Sequence, residues 1–585
     1  MDAGGPPTGA ADAATGASAA QAQTLFREAF ELHRKGLLAR AGALYEDILK
    51  AHPRHADCLH FLGVLSIQTR QCEKAVELID RAIAIAPDNP AVHCNRGIAL
   101  KELGQFEAAI ASYDRAIALK PDFAKAYYNR GVALKELKRL DAAVRSYEEA
   151  AALDPDFAEA HYNLGVVLQE LRRFDAACAS YRRAIAGKPD FADAFSNLGA
   201  ALEELNQLDA AIVSYDRAIA LRADLADAHS NRGNALLKLH RVDAAIASYD
   251  RAIEIEPDLA DAHYNKSLAL LLTGDFAAGW ALYEWRWKRS TAISTRRVFQ
   301  QPLWLGKESL TGMTILLYFE QGIGDTIQFC RYAKLVSALG ARVIMEVPGP
   351  LINLLEGLPG VSVLVAAGRA LPEYDYQCPL MSLPLACGTT LRTIPVEIPY
   401  LVADRGKAAA WRERLGEKKG VRVGLVWSGG FRQNQPQSWS VNGRRNIPLP
   451  LLAELDGTDV EFFSLQKGEG AERQLREVQA SGWNGPRIID YTSEFNDFAD
   501  TAAFVENLDL VISVDTSTAH LAAAMGKPTW ILNRYDTCWR WGLDRSDSPW
   551  YPTVTLFRQS AFNDWTGVVS RVREQLGEFG KSGDN

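Results

Sequence analysis

AKAYYNRGVALKELKRLDAAVRSYEEAAALDPDF (124–157) is followed without a gap by AEAHYNLGVVLQELRRFDAACASYRRAIAGKPDF (158–191). Taking Gly131 and Gly165 as markers, the same 34-residue step reaches Gly63, Gly97, Gly199 and Gly233. It extends to Ala29 upstream and Ser267 downstream, eight units in all. Alanine stands twelve residues after the marker at Ala109, Ala143, Ala177, Ala211 and Ala245, and tyrosine sixteen after it from Tyr113 to Tyr283. Proline closes most units, from Pro53 to Pro257, with Ala223 in its place once.

This pattern resembles the tetratricopeptide repeat. The resemblance implies two antiparallel helices per unit, with small residues allowing close approach, tyrosines filling the interface and proline ending the second helix. One such unit cannot bury its own apolar face, so the units are expected to stack into an α-helical solenoid with a concave groove over residues 22–289. The Ala-, Gly- and Ser-rich segment 1–21 is expected to be a disordered tail.

Two residues before the marker stand Asn95, Asn129, Asn163, Asn197, Asn231 and Asn265, between neighbours that vary. A primary amide both donates and accepts, so a ladder of them can hold an extended backbone without reading side chains. Recent duplication, or a structural role, would equally leave the same residue in each unit. The array resembles that of the O-linked N-acetylglucosamine transferases, which implies an acceptor-binding ladder for a polypeptide. Four residues before the marker, His93, His161, His229 and His263 share a position read as packing.

The whole chain of 585 residues has room for about four domain-sized units. Its 48% apolar and 23% charged residues are ordinary for a globular protein, and its net charge of −8 gives no electrostatic reason to expect nucleic acid as a partner. No apolar run is long enough for a membrane span. The eight cysteines form no CxxC pair, and with no export signal the reading is cytoplasmic. After His263 the only histidine is His520, which argues against a multi-histidine metal centre there.

Residues 290–312 carry no clean period and read as a junction. TILLYF (314–319), RVIMEV (342–347), VSVLVAA (361–367) and YDYQCPL (374–380) read as buried strands with helices between them, one lobe over 313–400. VRVGLVWSG (421–429), VEFFSLQ (460–466), RIIDY (487–491), DLVISVD (509–515) and PTWIL (528–532) give a second series over 401–578, with 579–585 as a tail. Two Rossmann-like α/β lobes suggest the glycosyltransferase architecture called GT-B, with its site between the lobes at the carboxyl ends of the strands.

Asp515-Thr516-Ser517-Thr518-Ala519-His520 joins a strand to a helix that ends Gly526-Lys527-Pro528. Hydroxyls here could cap the helix; the free N–H groups of its first turn could instead hold a diphosphate. Gly322-Ile323-Gly324-Asp325 follows the first strand, and Ile327 stands where a dinucleotide fingerprint needs its third glycine, so NAD is disfavoured. Both motifs resemble the lipopolysaccharide heptosyltransferase family. That resemblance implies a donor site at 515–520 and a general base at Asp325, which could alternatively only cap its helix. Ser517 departs from the family's usual glycine. Arg444 and Arg445 lie where the family places a cation for the leaving diphosphate. Ser428 and Gln466, at the ends of their strands, and Gly324 complete the expected donor contacts. The cluster Trp539 to Tyr551 reads as inter-lobe packing or as a stacking surface.

The whole resembles bacterial tetratricopeptide-repeat proteins bearing a glycosyltransferase domain of heptosyltransferase type. The expected activity is inverting, metal-independent sugar transfer from a nucleotide-diphosphate donor to an acceptor held by the groove, a protein above all. No metal or redox cofactor is implied. The alternatives are a non-catalytic repeat scaffold with a degenerate transferase domain, and a transferase acting on a glycan or lipid-linked acceptor.

Overall fold

A computed structural model of the chain describes residues 16–290, 297–430, 443–455 and 459–579. The chain divides into two compact units, Met1–Asp224 and Leu225–Asn585. The boundary therefore cuts the repeat array rather than following its end.

The first unit is a series of helical hairpins running from helix Gly16–Arg34 to helix Leu208–Leu221. Its first helix begins inside the segment expected as a tail, whose residues 1–15 lie outside the described residues. Most hairpins are locked by a tyrosine; in the second, Ile79 takes that place against Gly63. A Cβ built on Gly97 would stand 2.4 Å from Tyr113 Cε1, and on Gly131 and Gly165 2.7 and 2.6 Å from Tyr147 and Tyr181. The marker is glycine because the ring of the second helix occupies the space of any side chain there. Tyr113, Tyr147, Tyr181 and Tyr215 are fully buried in consequence.

The turn between the two helices of every unit carries a left-handed residue seven positions after the marker: Gly36, Arg70, Gly104, Lys138, Arg172, Asn206, His240 and Gly274. Only three of the eight are glycine, so the sequence gives this turn no uniform signature.

The second unit opens with four repeat helices, Ala226–Lys238, Val242–Ile255, Ala260–Thr273 and Phe276–Tyr283. Two parallel sheets follow. The first contains β1 (Thr314–Tyr318), β2 (Arg342–Val347), β3 (Val363–Ala366) and β4 (Tyr376–Pro379) in the order β3-β2-β1-β4. The second contains β5 (Val421–Val426), β6 (Val460–Ser464), β7 (Ile488–Asp490), β8 (Leu510–Val514), β9 (Thr529–Asn533) and β10 (Val554–Arg558), ordered β10-β9-β8-β5-β6-β7. A central crossover between β5 and β8, with the chain winding outward on either side, is the pattern of a doubly wound parallel sheet. Strand β10, from VTLFR, goes beyond the sequence reading. The helical stretch between β1 and β2 is in two pieces, Ile323–Phe329 and Tyr332–Ala338, interrupted at Cys330–Arg331. The junction extends the first sheet's edge: Trp304 N–H donates to Gln377 O at 2.9 Å, and Gln377 N–H to Pro302 O at 3.1 Å.

The last repeat is built into the core of the sheets. Trp280 meets Trp539 edge-on at 5.1 Å and Phe329 at 6.3 Å, and Phe276 stacks on Trp550 at 5.9 Å. All five rings are buried. The cluster from Trp539 to Tyr551 is thus packing, with the repeat helix Phe276–Tyr283 as one of the surfaces it joins.

Candidate functional site

In a doubly wound sheet, the two strands that flank the reversal of order open a crevice at their carboxyl ends. In the second sheet these are β5 and β8, which pair through Val423↔Leu510 to Val426↔Ser513. In the first, β1 lies between β2 and β4. The loops leaving β1, β5, β8 and β9 meet around one cleft of about 650 Å³, lined by Glu320–Asp325, Gly429, Gly430, Arg445, Asp515–Ser517, His520, Arg534, Cys538 and Arg540.

Two helix starts face this cleft, Ile323–Phe329 and Ser517–Ala524, and they touch. A Cβ on Gly324 would stand 2.9 Å from His520 Cδ2 and 3.4 Å from Ser517 Cα. Gly324 is therefore required for close approach as well as lining the cleft. Thr516 stands at the N-cap but makes no capping bond; its hydroxyl pairs with Ser513 Oγ at 3.0 Å. Ser517 is already helical and needs none of glycine's conformational freedom, so its replacement of glycine costs no backbone strain.

His520 is held by Tyr551 Oη at 2.9 Å on Nδ1 and lies over Trp541 at 5.5 Å. Burial pushes its pKa down to about 4, so the ring is neutral near pH 7. Burial alone would raise the Asp515 pKa, but Arg445, His520, Arg540 and Arg534 together bring it below the usual carboxylate value. Arg445 also donates to Asp515 O at 3.0 Å.

Asp325 has both oxygens engaged. Oδ2 accepts the Gly322 N–H at 2.8 Å, closing the start of its helix, and Oδ1 pairs with Arg540 Nη2. It does cap, then, while also lining the cleft.

Four expected donor contacts stand back from the cleft. Arg444 is clasped by Asp536 through Nε and Nη2 at 3.1 and 2.9 Å. Gln466 Oε1 accepts the N–H groups of Trp427 and Ser428 at 3.1 and 2.8 Å, which shapes the turn after β5, and Ser428 Oγ donates to Gly429 O. Thr518 is buried in its helix. Conversely, the cleft also holds Arg534 and Glu320, which no motif marked, and Arg540, which was expected only as part of the cluster Trp539 to Tyr551. Arg534 directly follows β9 and Glu320 lies two residues past β1, so strand ends could have marked both. Arg540 was hidden among the packing aromatics.

Five of the six asparagines meet a side chain of the preceding repeat. Asn163 and Asn197 donate to Tyr128 and Tyr162 hydroxyls at 3.0 Å, Asn95 meets His60 Nε2 at 2.8 Å, and Asn129 lies 3.9 Å from Cys94 Sγ. In the second unit Asn265 donates to Asn234 Oδ1 at 2.9 Å, and Asn231 is half-buried. A cavity of about 260 Å³ opens beside Asn95 and Asn129, bounded by Phe123, Tyr128 and Phe157. Three of the repeat histidines tie their helix start to the proline before it. Nε2 of His93, His161 and His263 meets the carbonyl of Pro87, Pro155 and Pro257 at 2.7, 3.1 and 2.8 Å. No helix among the described residues is long and apolar enough to cross a membrane.

Family models for the TPR repeat and the tetratricopeptide repeat match residues 32–94, 78–111, 99–138, 133–171, 158–191, 204–240 and 226–259. The chain is 29% identical over 336 residues to Protein FlbA of Caulobacter vibrioides, covering 53% of this chain. It spans about half, 54%, of that relative's length. Among solved structures it is similar to YrrB, described as a TPR protein with an unusual peptide-binding site, at 26% identity over 33% of this chain and 100% of that one, with a TM-score of 0.31. It is also similar to MamA, at 24% identity over 28% of this chain and 94% of that one, with a TM-score of 0.26. The chain thus carries an array of tetratricopeptide repeats that precedes a region of parallel sheets.

Proposed function

We propose that the second unit is a metal-independent glycosyltransferase of GT-B type that uses a nucleotide-diphosphate sugar, and that the repeats present its acceptor, a protein. The observation that carries this reading is convergence on one cleft. The carboxyl ends at both sheets' reversal points, two helix N-termini and the guanidinium groups of Arg445, Arg534 and Arg540 all meet there. Helix starts and arginine forks are what a leaving diphosphate requires when no metal neutralises it. The neutral His520 adds a ring nitrogen beside them without adding charge.

The asparagine amides, bonded between repeats, set the spacing of the face that an extended peptide would meet. The cavity beside Asn95 and Asn129 supports peptide docking there. A screen of nucleotide sugars by thermal shift tests the donor half. A donor at about 100 times its Kd should stabilise the fold by about 2.7 kcal/mol. No shift with any nucleotide sugar would leave the scaffold reading. Intact-mass analysis of proteins from cells expressing the chain then tests the acceptor.

A further inference from the structure

We propose that Glu320, rather than Asp325, takes the proton of the acceptor hydroxyl. The inference rests on the transferase reading above and deepens it. Asp325 is poorly placed as a base because one oxygen closes its helix and the other is paired with Arg540.

Glu320 lines the same cleft from the loop after β1, with its side chain only 8% exposed. Its two oxygens differ. Oε1 accepts from Arg286 Nη2 at 3.1 Å and from the Met381 N–H at 3.3 Å, which fixes the carboxyl group in place. Oε2 is buried and has no hydrogen-bond partner among the described residues. A buried carboxylate oxygen left unbonded is costly unless something arrives to share it. An acceptor hydroxyl would be that partner.

The charges around Glu320 fit the role. Arg286 divides its guanidinium between Glu320 and Glu284, the latter also hydrogen-bonded by Ser382 Oγ at 2.7 Å. It therefore does not cancel the Glu320 charge alone. Burial raises the Glu320 pKa; Arg286 lowers it, and Asp325 and Glu284 raise it again, leaving it at about 7. Tyr318 and Cys378, the other ionisable groups coupled to it, are themselves held neutral by burial. A base is most effective with its pKa near the working pH.

The step balances without a further reactant. The hydroxyl proton passes to Glu320 Oε2 as the oxygen bonds to the anomeric carbon. The bond from that carbon to the diphosphate breaks, and its electron pair leaves with the nucleoside diphosphate, whose charge Arg445, Arg534 and Arg540 receive.

The test compares the parent chain with Glu320→Gln in donor affinity and in transfer rate from about pH 5.5 to 8.5, the range in which a base of pKa near 7 titrates. In the parent, kcat/KM should rise with pH through an inflection near 7. Glu320→Gln should keep donor affinity within about twofold, lose roughly 10²–10⁴-fold in transfer and lose the inflection. Parental transfer with the inflection intact would overturn the Glu320 assignment and leave the transferase reading standing. If the parent neither binds nor turns over any nucleotide sugar, both readings fall. Should Glu320→Gln not fold, Glu320→Asp keeps a carboxylate on a shorter arm. A slower enzyme that retains the rising limb supports the proposal, and a full rate without that limb overturns it.

Discussion

Arg540 joins the two halves of the cleft, because its guanidinium belongs to one lobe and its partner Asp325 to the other. Its removal should act on the donor rather than on folding alone. Arg540→Ala and Arg534→Ala are each expected to weaken nucleotide-sugar binding by about 1.5–3 kcal/mol, roughly 10- to 150-fold, read by calorimetry with the melting curve as control. Asp325→Asn should instead keep most of its affinity for the donor while lowering the melting temperature, since it loosens both the helix start and the Arg540 pair. His520 supplies a pH dependence. With its folded pKa near 4 and an unfolded value near 6.5, the unfolded chain binds the extra proton between them. Stability is therefore unaffected above pH 6.5 and lost as pH falls toward 4. His520→Gln should flatten this acid limb in melts taken from about pH 7.5 to 4.5. At this scale the motif residues were legible as strand ends: Asp325, Asp515 and Arg445 do line the cleft. Arg445 was the preferred arginine of the pair, but nothing local reveals that Asp536, 92 residues on, clasps Arg444.

The repeat hairpin was legible at the element scale because its rules are local. Gly165 needs its hydrogen for the Tyr181 ring, and Pro189 stops the second helix, so spacing alone carried the information. Adding a methyl at Gly165 drives a Cβ to 2.6 Å from Tyr181 Cε1, and Gly165→Ala should cost about 1–3 kcal/mol in urea unfolding of the array. The left-handed turn predicts the opposite sign. Arg70 holds a φ of 59°, a conformation that costs a side-chain-bearing residue roughly 1–2 kcal/mol. Glycine avoids that cost but gives back about 0.5–1 kcal/mol in unfolded-state entropy, so Arg70→Gly should stabilise by up to about 1.5 kcal/mol. This turn escaped the sequence reading because five different residue types occupy it across the array. Strand β10 escaped for another reason: its partner β9 lies close by, but only the completed sheet order calls for a sixth strand.

At the scale of the molecule, the repeat period continues past Asp224 while the compact units do not. The pattern of Gly233, Ala245 and Tyr249 matches that of upstream repeats, and nothing in it announces that Trp280 is buried against Trp539 and Phe329. The sequence boundary at Arg289 marks where the period stops, not where the packing changes. A fragment spanning 225–585 should accordingly fold and bind nucleotide sugar. One spanning 290–585 would bare Phe329, Trp539 and Trp550 and should aggregate, as gel filtration and near-ultraviolet dichroism would show. The same division has a consequence for the lineage of this chain. Whole 34-residue modules inserted or lost upstream of Asp224 would leave the cleft and its supporting rings untouched. The terminal hairpins are bound to the sheets and have no such liberty. The upstream array is therefore free to change length by duplication without disturbing the cleft, whereas the last two repeats can change only together with the sheets they pack on.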